Sequence, residues 1–110
     1  MKNQTIYLHN ILDAIKEIEI FSEDSDWKDI KTERAIERCI EIIGEAANKL
    51  SKEFQKKFPE VEWNLVIGMR PKIIHDYFDV DPNLVKSTVE DDIPVLKKQI
   101  KKILKELHQS

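Results

Sequence analysis

The stretch AIERCIEIIGEAANKLS, residues 35–51, carries Ile36, Ile40, Ile43, Ala47 and Leu50 at alternating steps of four and three, with charged residues between them. Apolar residues at that spacing line one face of a helix with 3.6 residues per turn. The spacing predicts an amphipathic helix that buries one stripe in a core. Gly44 sits beside the stripe, either to let another helix approach or as a tolerated surface glycine. Cys39 flanks it as a packed thiol, since no activating neighbour is visible in the sequence.

The same pattern extends outward in both directions. Upstream, Leu8, Ile11, Ile15 and Ile18 predict a helix over about residues 3–21. The polar run SEDSD, residues 22–26, reads as a loop, and Asp26 or Asp29 can cap the helix that follows. Downstream, residues 51–57 allow one short helical turn that Pro59 must end. A third long helix starts just after, with Glu60 and Glu62 in its first turn, and runs to about Phe78. Asp81-Pro82 is a good helix start, an Asp cap followed by a residue that needs no amide hydrogen. Val85, Val89, Ile93, Leu96, Ile100, Ile103 and Leu107 then keep helical phase to the end. Pro94 falls inside this stripe, and the unbroken phase favours one kinked helix over two independent ones. The sum is an all-α, antiparallel bundle of four to five helices.

The chain has 110 residues, which suits a single domain over residues 1–110. Eighteen Lys and Arg against twenty-one Asp and Glu give a net charge of -3, so any anion binding must come from local patches. Only two Gly and 35% charged residues argue against an all-β sandwich. One cysteine excludes an intramolecular disulfide and a cysteine-based zinc site, and suits a reducing compartment. The first residues lack the uninterrupted apolar run of a signal peptide or membrane span, so the expectation is a soluble, cytoplasmic protein with no membrane partner.

One stripe breaks the rule. Trp63, Ile67, Arg70, Ile74 and Tyr77 fall in four-three alternation and put a guanidinium where the pattern asks for a hydrophobe. A buried unpaired charge costs several kcal/mol. Arg70 must therefore meet an internal carboxylate, face an anion or line a cleft made with a second subunit. Pro71 removes a backbone hydrogen bond beside it. On a regular helix Tyr77 lies about 20° from Arg70, whereas His75 is rotated by about 140°. Either the kink at Pro71 re-aims them, or the site joins residues from two copies across a symmetric interface; the second is favoured. His9 and His108 read as structural or surface residues. No pair of histidines falls at helical ligand spacing, and Asp76, Asp79 and Asp81 are better explained as a turn and a cap, so no metal or other cofactor is expected.

The segment GMRPKIIHDYFDVD, residues 68–81, contains RxxxxHxY as Arg70, His75 and Tyr77 and resembles the signature of the HEPN superfamily, in its HepT toxin branch. Residues 35–51 resemble that branch's second helix, and Thr88, Val89, Asp92, Ile93 and Pro94 its last helix. Pro71 stands where relatives usually carry a polar residue, and Asp79 where Gly is common. The resemblance implies a homodimer whose motif helices meet at a cleft, and a metal-independent endoribonuclease. It implies that Arg70 holds the scissile phosphate, that His75 is the general acid or base, and that Tyr77 orients the substrate. It further implies a toxin–antitoxin pair in which an MntA-like nucleotidyltransferase attaches AMP to Tyr77. Basic side chains would then carry the RNA backbone, with Lys97, Lys101 and Lys102 of the last helix as candidates and Lys52, Lys56 and Lys57 as a second cluster. The alternative reading is a non-catalytic helical module that binds a nucleotide or a nucleotidyltransferase and regulates it.

Overall fold

The computed structural model describes residues 3–23, 29–69 and 81–109. Helix α1 spans Thr5–Glu23 and α2 spans Ile30–Lys49. Two short helices follow, α3 (Lys52–Lys57) and α4 (Trp63–Ile67). The C-terminal part comprises α5 (Pro82–Ser87), a π-helical turn over Thr88–Asp92, and α6 (Ile93–Gln109). Among the described residues there is no strand.

The stripes read from the sequence are the core. Leu8, Ile11, Ile15 and Ile18 of α1 meet Ile36, Ile40, Ile43 and Ala47 of α2, all buried. Val85, Ile93, Leu96, Ile100 and Ile103 close the core from the C-terminal helices. Each such side chain contributes about 1.5–3 kcal/mol by leaving water. Two long-range contacts set the directions. The Ser51 amide donates to Gln4 Oε1 at 2.7 Å, so the start of α1 meets the end of α2. Lys97 Nζ lies 2.7 Å from Glu19 Oε2, so the end of α1 meets the start of α6. Both pairs are therefore antiparallel, as expected of the bundle.

Local chemistry explains the boundaries. Asn3 Oδ1 accepts from the Thr5 amide at 3.0 Å and starts α1, which runs two residues beyond the expected end. Asp29 caps α2 by accepting from the Lys31 amide at 3.1 Å, and Asp26 lies outside the described residues. Ser51 caps α3 through the Phe54 amide. Asp81 accepts from the Asn83 amide at 2.9 Å with Pro82 at the first helical position.

The third long helix departs from expectation at its start and in its length, since α4 ends at Ile67 with Gly68 as its C-cap and does not run on unbroken. Glu60 and Glu62 do not lie in the first turn of a helix: α4 begins at Trp63, Glu62 is its N-cap without a side-chain capping bond, and Glu60 belongs to the preceding turn. The delay has a cause, because Val61 is buried and the chain wraps around it through the bonds Val61 N to Phe58 O and Trp63 N to Val61 O. As the unbroken phase leads one to expect, Pro94 does not split the last helix. The ladder widens just ahead of it, so that the Ile93 amide donates to Thr88 O, five residues back. Widening by one residue is how a helix absorbs a proline that has no amide for the carbonyl four residues earlier. The kinked-helix expectation takes the form of one continuous helical run with a π turn inside it.

Candidate functional site

The residues singled out by the sequence, Arg70, His75 and Tyr77, fall in residues 70–80 together with Pro71, Asp76 and Asp79, and lie outside the described residues. The structure defines what holds the two ends of that segment.

At the entry, α4 has five residues, too few for a helix to sustain itself. Tertiary contacts fix it. The Trp63 indole Nε1 donates to Phe58 O at 3.0 Å and to Gln55 O at 3.2 Å. Gln55 is itself buried and donates through Nε2 to Ala47 O and Leu50 O, which ties α3 to the end of α2. Gly44 settles the alternative left open above: it is buried, and a Cβ built there would stand 3.1 Å from the carbonyl oxygen of Ile67. The backbone of α4 thus rests directly on α2 because Gly44 has no side chain. Met69, the residue before Arg70, is buried. At the exit the chain is fixed by the Asp81 cap.

Thr88, in the π turn, is fully buried and its Oγ1 has no hydrogen-bond partner. Such orphaned hydroxyls are uncommon in a core. Sequence patterning places Thr88 by resemblance alone and gives no sign of its unsatisfied oxygen.

The lysines of α6 divide. Lys97 is paired with Glu19, whereas Lys101 and Lys102 are exposed and make no ion pair among the described residues. With Lys98 and Lys105 they occupy an arc of about 100° of the helix surface. Lys52, Lys56 and Lys57 are exposed as well.

Cys39 is 4% exposed, and burial pushes its thiol up from 9.0 to about 11, with Glu17 adding to the rise and Arg38 opposing it. It stays protonated at neutral pH and is no nucleophile. His9 and His108 are exposed. Among the described residues no group of three or more His, Cys, Asp or Glu could hold a metal ion. Among them, too, no helix is long and apolar enough to cross a membrane.

Residues 11–103 match the family model described as "Ribonuclease HepT-like". The chain belongs to the HepT-like ribonuclease family. Its relatives include the "Probable ribonuclease HepT" of Thermococcus cleftensis, 40% identical over 103 residues that cover 90% of this chain and 94% of that protein. A "Putative RNase" of Caldanaerobacter subterraneus is 41% identical, covering 94% of this chain and 96% of the relative. Another of that name from Methanocaldococcus jannaschii is 37% identical, with 94% and 92% covered. No solved structure matches the chain at a significant level. At the level of the HepT-like family the activity is that of a ribonuclease, and the all-α bundle is that of the HEPN superfamily.

Proposed function

We propose that the protein is a metal-independent endoribonuclease toxin that acts as a homodimer, with Arg70, His75 and Tyr77 of each subunit at a shared cleft. The observation that supports it is the RxxxxHxY string of residues 70–77 inside a HepT-like match that spans residues 11–103.

The chemistry follows from the residue types. RNA carries its own nucleophile, the 2'-hydroxyl, so cleavage needs a base for that hydroxyl, an acid for the leaving 5'-oxygen and a cation for the charge that grows on the phosphoryl oxygens. Histidine is the side chain whose ordinary titration range lies nearest neutrality, and His75 takes the proton-transfer role. Arg70 binds the phosphoryl oxygens through a planar fork of donors that cannot lose its charge. Tyr77 orients the phosphate through its hydroxyl. No step requires metal-bound water, and the reaction needs no cofactor. The exposed Lys101 and Lys102 hold the RNA backbone, with Lys97 available only when its pair with Glu19 opens.

In the same reading Tyr77 is the AMP acceptor for an MntA-like nucleotidyltransferase antitoxin. Bulk and negative charge added next to Arg70 exclude an RNA phosphate from the cleft. A cytoplasmic toxin–antitoxin pair is the setting such control requires.

The test is cleavage of total RNA and of tRNA by the purified, unmodified protein in EDTA, with His75→Ala in parallel. A defined product made by the parent and not by the variant is expected. No cleavage by the parent, with Tyr77 shown by intact mass to be free of AMP, would overturn the enzymatic reading.

A further inference from the structure

Lysines gather in two places along this chain. Residues 52–57 carry Lys52, Lys56 and Lys57 against one carboxylate, Glu53, and residues 97–105 carry five lysines and no carboxylate. Together the two segments hold a net charge of +7 in a chain of net -3, so the remaining residues carry -10. A protein of that balance in a ribonuclease family can hold a polyanion only on such local patches. The function proposed above uses the lysines of α6 alone and gives those of α3 no part.

Folding brings the two patches together. Gln99 Nε2 of α6 donates to Glu60 O at 2.8 Å. Lys57 precedes Glu60 by three residues, which span about 10 Å at most. On α6, Lys102 stands one turn beyond Gln99 and about 60° from it around the axis. The end of α3 therefore abuts the middle of the lysine face of α6. Helix α3 is also pinned there: Phe54 and Phe58 are buried, and Gln55 Nε2 donates to Ala47 O and Leu50 O. Its lysines are thus carried on a fixed support.

Both patches work against the fold. Lys52 and Lys56, Lys98 and Lys102, and Lys101 and Lys105 are like charges four residues apart on a helix, a spacing at which they repel. All six are exposed, and none forms an ion pair among the described residues. Phosphates laid along these rows replace each repulsion by attraction.

We propose that α3 and α6 form one path for the RNA backbone, running from Lys101 and Lys102 over the Gln99–Glu60 contact to Lys57, Lys56 and Lys52. The proposal rests on the RNA role given above to α6. Glu60 is exposed at the crossing, and its carboxylate opposes a phosphate there.

The experiment uses the full chain with His75→Ala, which leaves RNA intact, and a fluorescein-labelled 12-nucleotide oligouridine followed by anisotropy across a range of salt. Lys52→Gln with Lys56→Gln is expected to lower the slope of log affinity against log salt by about 1.4, at about 0.7 per phosphate contact. Lys16→Gln with Lys31→Gln, the same charge change on the exposed faces of α1 and α2, should leave the slope almost unchanged. Glu60→Gln should tighten binding by about twofold or more at low salt. One oligonucleotide should bind per subunit. A slope unchanged by the α3 variant but lowered by Lys101→Gln with Lys102→Gln would overturn the shared path and leave the role of α6 standing. Slopes unchanged by both, or no binding by the parent at low salt, would overturn that role and the path with it. An equal loss in the Lys16 and Lys31 variant would show attraction to total charge, and two oligonucleotides per subunit would show separate sites; either overturns the proposal. So would polyglutamate that binds more tightly than RNA through the same lysines, which would assign the surface to an acidic protein.

Discussion

Helices α2 and α4 touch at Gly44, yet they are held by different means. Helix α2 carries its own instructions: a continuous apolar stripe, a side-chain cap at Asp29, Glu33 in the first turn and Lys49 in the last, each placed to suit the helix dipole. Helix α4 has five residues, an N-cap that makes no side-chain bond, and one large apolar residue, Leu65, mostly in water. Its position comes from the Trp63 indole bonds and from the space left by Gly44. A self-sufficient helix thus serves as the bench on which the segment leading to Arg70 is set. Damage to the first should appear as lost stability, and damage to the second as lost activity or a displaced site.

The largest contrast should come from His75→Ala set against Ile40→Ala. Removing a general acid or base typically costs about a hundred- to ten-thousand-fold in rate, and the melting curve of His75→Ala should match that of the parent. Ile40 is fully buried, and its truncation should cost about 2–5 kcal/mol in denaturant unfolding. Its cleavage rate per folded molecule should stay near the parent's. If Ile40→Ala lost activity without losing stability, the division between bench and site would be wrong.

The contact between the two helices is the next place to press. At Gly44 a Val side chain must displace the Ile67 carbonyl, a backbone group that cannot rotate away. Gly44→Val should cost about 1–3 kcal/mol. Gly44→Ala should fall near zero, because about 1 kcal/mol of helix propensity gained offsets the tight contact. A Val variant as stable as the Ala variant would mean that α4 is free to move off α2.

These two helices also show what patterning can and cannot reveal. The stripes of α1, α2 and α6 were legible because burial of one helix face imposes a period on the sequence itself. The Asp29, Ser51 and Asp81 caps were legible because capping is local. The start of α4 was not, since it is set by burial of Val61, a tertiary event. The π turn before Pro94 needed the backbone to be seen. Gly44 was legible only as a choice between two roles, and the contact with Ile67 decides it. Arg70 was visible as a break in period, but His75 and Tyr77 gained roles only from the motif, and residues 70–80 lie outside the described structure. The joining of the α3 and α6 lysines left no trace, because Gln99 and Glu60 lie 39 residues apart and meet only in the folded chain.

Cys39 tests the bench by pH. Its folded-state pKa is raised to about 11 from an ordinary 9.0. Below about pH 9 both folded and unfolded chains keep the proton, and stability from this group is constant. As pH rises from 9 to 11 the unfolded chain loses the proton first, so stability falls, by about 2–3 kcal/mol at the upper end. Unfolding free energies of the parent and of Cys39→Ala should therefore converge or cross over that window, the parent having the steeper decline. Parallel curves would mean that the thiol is not desolvated in the folded protein.

The smallest expected effects separate the lysines of α6. Each phosphate contact to single-stranded nucleic acid adds about 0.7 to the slope of log affinity against log salt. In a His75→Ala background, where RNA stays intact, Lys101→Gln with Lys102→Gln should lower that slope by about 1.4. Lys97→Gln should lower it by much less, since Lys97 already has Glu19 as its partner at 2.7 Å. The same substitution should cost only about 0–1 kcal/mol of stability, because both partners are half exposed to solvent. A slope unchanged by the double variant would remove this face of α6 from the RNA path. A slope lowered as much by Lys97→Gln as by Lys101→Gln alone would show that RNA phosphate displaces Glu19, and α1 would then border the substrate as well.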